Sequence, residues 1–345
     1  SRMAISLGII LLSTVAIWWF SDRLEAVAHT IGHHLRMPES VKGAVLYAIP
    51  SSFPELATAT ISVVVLDPPV FEVGVGTIAG SAVFNLLIIP SLAVIVASRH
   101  LRKQGQKMDA INISPQIFLR DGVFYLGVVG LFIGVAIYGQ FTKIIALAFL
   151  AIYAGYVFML YRMTMKHREA TEPHGEDDEE QMSLGMAMFW LVFSMAALGV
   201  ACYFLVEATV EVAGHLGMNP YVVAVVLTAA ATSIPDTLIS VAAAKKSGEE
   251  AESAVVNAFS SNIFDVLVCL AVPALLYPTA VDLNAGKSIV SLVLLAVTTA
   301  ATLLMIKVGN RVTRPKAYVM LGMYAVFVGA AFFNDEILDA AGIHP

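Results

Sequence analysis

Hydrophobic positions along this chain come in long blocks. Windows of membrane-spanning length, about 20 residues, occur at residues 4–20, 41–66, 70–97, 118–138, 141–163, 184–206, 220–245, 251–277, 288–308 and 316–334. Each block predicts one helix crossing a bilayer, ten in all. The tightest connections fall at Asp67-Pro68-Pro69 and Tyr138-Gly139-Gln140. The one long polar stretch, Lys166 to Gln181, "KHREATEPHGEDDEEQ", divides the chain into halves of five windows each. It lacks the alternating ligands and central glycine of an EF-hand loop and reads as a solvated linker.

Basic residues orient the spans. With the N-terminus outside, the inner loops carry 17 of the 20 lysines and arginines, and Arg2, Lys143 and Lys287 alone fall outside. That positive-inside bias predicts ten spans with both termini external. Composition agrees: the chain is 58% hydrophobic and 13% charged, where a soluble domain carries about 25% charge. The net charge of −6 gathers no basic face apart from the membrane loops, so the lipid bilayer is the expected surrounding and no nucleic-acid partner is expected. Cys202 and Cys269 both lie in apolar blocks, which argues against a disulfide framework. No polar mature sequence follows residue 20, so the first block reads as a membrane helix rather than a cleaved signal. Ser1-Arg2 ahead of Met3 reads as a cloning remnant.

The two halves repeat one another. "AIPSSFPELATATISV", Ala48 to Val63, aligns with "AAATSIPDTLISVAAA", Ala229 to Ala244, at a constant offset of 181 that places Pro54-Glu55 over Pro235-Asp236. The next helices align at offset 180, Gly80-Ser81-Ala82-Val83-Phe84-Asn85 over Ser260-Ser261-Asn262-Ile263-Phe264-Asp265. An odd number of spans per half gives the halves opposite orientations. The chain therefore reads as an all-α polytopic membrane protein of ten transmembrane helices in two inverted-topology five-helix repeats. The expected divisions are residues 3–165 and 183–345, joined by an acidic linker at 166–182. Inverted repeats with interrupted helices in matching places are the mark of a secondary transporter, whose sites meet near the midplane.

The repeated motifs hold donors for a hard cation. Calcium takes six to eight oxygens from carboxylates, carbonyls and hydroxyls, and sodium a similar set with fewer charges. Glu55 and Asp236 follow prolines that free backbone carbonyls a turn earlier, and Ser51, Ser52, Thr232 and Ser233 add hydroxyls in the same turn. Ser81 and Asn85, like Ser261 and Asp265, are four apart and share a helix face. Ordinary readings exist for each type alone: a membrane Ser or Thr usually bonds its own i−4 carbonyl, a proline is usually a tolerated kink, and Asn85 can join helices. Intramembrane carboxylates differ, because their cost makes function the default. Glu72, Glu207 and Glu211 read as interfacial. His33, His34 and His215 are expected in short loop helices.

"SSFPE" and "TSIPD", followed by "GSAVFN" and "SSNIFD", resemble the duplicated alpha repeats of the calcium/cation antiporter superfamily, and most of all its potassium-dependent sodium/calcium exchanger branch. The resemblance implies exchange of calcium against sodium by alternating access, with potassium or protons as further candidate ions, no cofactor, and no enzymatic step. Carried over by position, it implies Glu55, Asn85, Asp236 and Asp265 as central ligands. Supporting oxygens would come from Ser51, Ser52, Ser81, Thr232, Ser233 and Ser261, with the carbonyls of Ala48 and Ala229 added. Pro50, Phe53, Ala231 and Ala82 depart from the family pattern. Three carboxylates at one site cannot all stay charged when empty; calcium neutralises two, which predicts Glu55 and Asp236 as its direct ligands and Asp265 as the partner of a monovalent ion or proton. The expected location is the plasma membrane, or a prokaryotic inner membrane. Other readings are a calcium/proton or other divalent-cation antiporter, a cation channel, and an intramembrane aspartyl enzyme, the last lacking its Gly-x-Gly-Asp signature.

Overall fold

The computed structural model describes residues 2–34, 48–105, 107–168, 182–246, 248–283, 285–340 and 342. Among them nine helices are long and apolar enough to cross a membrane, and the shorter apolar helix Ile49–Val65 makes a tenth. Residues 41–47 of the second predicted window, and residues 169–181 of the linker, lie outside the described residues.

The helices are α1 Arg2–His34, α2 Ala48–Thr60, α3 Phe71–Lys103, α4 Val123–Tyr138, α5 Lys143–Arg168, α6 Leu184–Leu216, α7 Ala229–Ala244, α8 Gly248–Phe264, α9 Ala285–Lys307, α10 Arg314–Phe332 and the short α11 Asn334–Ala340. Four π-turns extend them: Ile61–Val65 after α2, Phe118–Gly122 before α4, Ala224–Thr228 before α7 and Asp265–Cys269 after α8. Helices α1 and α6 outrun their windows to 33 residues each, about 50 Å at 1.5 Å per residue. No proline interrupts either, and α6 stops at Gly217, whose φ of +65° suits a residue without Cβ. His33, His34 and His215 consequently sit in the last turns of these long helices rather than in separate loop helices.

The repeated motifs occupy the middle of the bundle. In α3 83% of the apolar window is buried, against 72% for the span containing α8, 67% for that containing α7, and 22% in α1, α5 and α10. Close approach is what lets α3 sit there. A Cβ on Gly80 would fall on the carbonyl oxygen of Val225, and one on Gly76 would lie 2.8 Å from the carbonyl oxygen of Tyr221. Two glycines one turn apart thus seat α3 directly on the backbone leading into α7, the way small residues bring membrane helices together.

Two strand pairs fix the topology independently of hydrophobicity. Strand β1 Ala110–Asn112, between α3 and α4, pairs antiparallel with β4 Arg311–Thr313, between α9 and α10. Strand β2 Gln140–Phe141, between α4 and α5, pairs antiparallel with β3 Val281–Asp282, between α8 and α9. Paired loops must share a face, and an even number of spans separates each pair. The inverted repeat interchanges the two: the α3–α4 loop corresponds to the α8–α9 loop, and the α4–α5 loop to the α9–α10 loop. One pair therefore closes each face of the bundle.

Replacing Gly80 with valine should force α3 off the Val225 backbone, at a cost of about 1–3 kcal/mol or more. The expected outcome is a clear drop in thermal midpoint in detergent. Gly155→Ala, where a Cβ meets nothing within 4 Å, should leave the midpoint within error.

Candidate functional site

Helix α2 runs through Pro54 and α7 through Pro235 without losing helical form. The sequence places the backbone opening at the prolines; in α7 it is the π-turn Ala224–Thr228, immediately ahead of the motif, that widens the helix. A second π-turn begins at Asp265 itself. Such turns are frequent at functional sites because they re-aim side chains. Asn85, the repeat partner of Asp265, lies in regular α-helix.

Side chains from both halves meet through hydroxyls. Ser81 Oγ donates to Glu55 Oε1 at 3.2 Å, lies 3.4 Å from Asp265 Oδ2, and stands 2.8 Å from Ser233 Oγ. Ser261 Oγ donates to Asp236 Oδ2 at 2.6 Å and lies 2.7 Å from Ser52 Oγ. Asn85 Nδ2 donates to Asn262 Oδ1 at 3.2 Å, and Asn262 Nδ2 donates to the Ala82 carbonyl at 2.9 Å. Each carboxylate of one half is thus reached by a hydroxyl from the helix beside it, and hydroxyl–hydroxyl contacts carry the network across the repeat boundary.

Glu55, Asp236, Asp265, Asn85, Ser51, Ser52, Ser81, Thr232, Ser233 and Ser261 are all buried. Ser51 lines the same cavity as Asp236. The Thr232 hydroxyl donates to the Ala229 carbonyl at 3.2 Å, so that carbonyl already has one partner. Ala48 is the first residue of α2, ahead of Ser51 and Ser52. Among the described residues Glu55 Oε2, Asp236 Oδ1 and Asn85 Oδ1 have no hydrogen-bond partner, and no lysine or arginine is buried. No three His, Cys, Asp or Glu side chains among them close on one point as a metal cluster does. The carboxylates are held apart by serines, so a cation here meets a mixed set of carboxylate, hydroxyl and amide oxygens. That set suits a hard cation.

A cavity of about 550 Å³ reaches this cluster from one face. Its inner wall holds Ser51, Asp236 and Ser260, and its outer wall Glu25, Arg120 and Glu252. The sequence reading passed over three polar groups in this part of the bundle, of which Glu25 lines the cavity. Asn262 completes the amide pair, and its mismatch with Ala82 was the available signal. Glu25 belongs to a helical extension beyond the first hydrophobic window. Asp121, fully buried, accepts two hydrogen bonds from Arg120, at 2.8 and 2.6 Å, and one from Tyr156 Oη at 3.1 Å. Adjacent Arg-Asp at the mouth of an apolar block was its signal. Two of the three acids expected at interfaces are hydrogen-bonded: Glu207 accepts from Tyr203 within α6 at 2.7 Å, and Glu211 from Ser6 of α1 at 2.6 Å.

The family model described as "Sodium/calcium exchanger protein" matches residues 5–162 and 186–333. The chain belongs to this family. It is a secondary transporter of the calcium/cation exchanger superfamily and not an enzyme. Similar to it are "Putative antiporter CaxA" of Alkalimonas amylolytica, 26% identical over 92% of this chain and 96% of the relative, and "Inner membrane protein YrbG" of Escherichia coli strain K12, 22% identical over 81% and 82%. The mouse "Sodium/potassium/calcium exchanger 4" is 32% identical over 41% of this chain and 24% of its own. Among solved structures, the sodium-calcium exchanger NCX_Mj aligns with a TM-score of 0.62 at 22% identity, covering 95% and 99% of the two chains. The "H+/Ca2+ Exchanger CAX" aligns with a TM-score of 0.70 at 15% identity, covering 97% and 88%. Both likenesses concern the fold.

In this exchanger Asp121 should depend on Arg120. Arg120→Gln strands a buried carboxylate, at a cost on the order of 2 kcal/mol; this falls short of the ~3–5 of a fully buried pair because Arg120 keeps 27% exposure. Thermal midpoint in detergent should fall in the single variant and recover in Arg120→Gln/Asp121→Asn.

Proposed function

We propose that the protein exchanges calcium for sodium by alternating access, with Glu55, Asp236 and Asp265 at the ion-binding centre. The observation that carries this reading is the set of three fully buried carboxylates with no buried basic residue beside them among the described residues. Burying such charge unpaired is prohibitive, so the compensating cations must come from solution, and removing one kind requires another. That requirement is the coupling. Two carboxylates balance a divalent ion, and the third is left for a monovalent one. We assign the direct calcium contacts to Glu55 and Asp236, each keeping one unpartnered oxygen, with Asp265 on the monovalent ion. Asn85 and the hydroxyls of Ser51, Ser52, Ser81, Thr232, Ser233 and Ser261 supply neutral oxygens, and the Ala48 and Ala229 carbonyls lie in the same helical turns. Neutral hydroxyls and amides fit sodium, which a proton-coupled site does not need; this favours sodium over protons as the counter-ion.

The chain divides into the inverted repeats 3–165 and 183–345, joined by the linker 166–182. Both termini face outward from a plasma membrane, following the distribution of lysine and arginine.

Purified protein in liposomes should take up calcium when a sodium gradient is imposed and not when a pH gradient alone is imposed; potassium dependence is read in the same series. Uptake driven by pH without sodium would replace the reading with calcium/proton exchange, and calcium leak without counterflow would mark a channel. Glu55→Gln and Asp236→Asn should each lower calcium flux roughly 100-fold, about 2.8 kcal/mol at 1.4 kcal/mol per decade. Wild-type flux in Glu55→Gln would overturn the assignment.

A further inference from the structure

The cavity contains more polar chemistry than an open path to Asp236 needs. Ser240 lines it together with Asp236 and Glu25. Ser240 is 2% exposed and its hydroxyl has no hydrogen-bond partner among the described residues. It lies four residues beyond Asp236, on the same face of α7 and about 6 Å further along the axis. The direction is outward, because α7 ends at Ala244 and the outer wall includes Ala243. A buried hydroxyl without a partner is costly, and this one faces the space an ion must cross.

Glu25, on α1, lines the same cavity as Asp236. The other outer carboxylate, Glu252, is already engaged: its Oε1 accepts from the Ser114 backbone N–H at 2.6 Å. Arg120 is held by Asp121. Glu25 and Ser240 thus present a carboxyl and a hydroxyl oxygen on facing helices, one turn outside the centre.

We propose that Glu25 and Ser240 form an outer cation station, where a partly hydrated hard cation pauses between the cavity mouth and Asp236. This inference rests on the exchange reading above. One carboxylate and one hydroxyl leave most coordination positions to water, so the station binds weakly and releases readily, while the charge concentrates cations at the mouth. It acts on one face only. Helices α1 and α6 align end to end at an offset of 182, which sets Glu25 opposite Glu207, yet Glu207 is exposed and takes the Tyr203 hydroxyl instead.

The test measures calcium uptake from each face separately, in right-side-out and inside-out vesicles carrying the full chain. Glu25→Gln should raise the calcium KM at the cavity face about 5–10-fold, the scale of lost electrostatic concentration, with the maximal rate within about twofold and the KM at the other face unchanged. Ser240→Ala should move the same KM in the same direction by a smaller factor, and Glu25→Asp should recover most of the loss. Glu207→Gln should leave the cavity-face KM at the wild-type value. An unchanged cavity-face KM in Glu25→Gln, or equal changes at both faces, would overturn the station. If the wild type itself moves no calcium, the exchange reading fails first, and the station fails with it as a calcium site.

Discussion

Three carboxylates buried at the centre of a membrane bundle, without a lysine or arginine among the described residues to balance them, set the terms for everything around them. A carboxylate in a low-dielectric interior needs hydrogen bonds, a proton or a cation. Hydrogen bonds here are supplied by serines, each a neutral group that can turn its hydroxyl toward a carboxylate or offer its oxygen to a cation. Ser81 illustrates the point: it lies within 3.4 Å of two carboxylates and a second serine. A lysine in its place would neutralise the site permanently and leave nothing to exchange. Elsewhere the chain uses the permanent solution, at Asp121, where Arg120 and Tyr156 satisfy the carboxylate. The contrast separates an acid satisfied by fixed partners from Glu55 and Asp236, which each keep one oxygen without a partner among the described residues.

Bringing four motif-bearing helices within hydroxyl reach of one another requires backbones to approach closely, and Gly76 and Gly80 provide that on α3. The residue after Gly80 is Ser81, so the close seat on the Val225 backbone also fixes the hydroxyl that joins Glu55 to Asp265. Packing and chemistry share one turn of helix. The strand pairs complete the frame by tying the α3–α4 loop to the α9–α10 loop, and the α4–α5 loop to the α8–α9 loop. Each ties the two repeats together at one face while the centre lies between them.

Much of this was legible in the chain itself. Ten apolar windows, one acidic break and a basic-residue bias give span number and parity, because a bilayer allows few alternatives. The repeated Pro-carboxylate motifs identify the central helices for the same reason: nothing but function commonly keeps an acid there. Other features left no such mark. The π-turns at Ala224–Thr228 and Asp265–Cys269 have no sequence code, so the sequence placed the widening of α7 at Pro235. Gly76 and Gly80 look like any glycines until a neighbouring backbone is set beside them. Glu25 escaped notice because α1 continues for several turns past its hydrophobic window, and a carboxylate outside a window looks solvated.

The repeat is also unequal in a way that bears on mechanism. The first half brings Glu55 and Asn85 to the centre, one charge; the second brings Asp236 and Asp265, two. The second half also has the π-turn that starts at Asp265, whereas Asn85 stays in regular helix. Inverted halves of equal charge would favour a centre symmetric toward both faces. Here the extra carboxylate and the widened helix sit on one repeat, together with Ser240, whose counterpart in the first half is Ala59. Charge and the π-turn at the central carboxylate depart from symmetry on the second repeat, whereas the cavity wall draws on both, with Glu25, Ser51 and Arg120 from the first and Asp236, Ser240 and Glu252 from the second. A centre built this way presents different groups toward its two faces, and both repeats contribute to that difference.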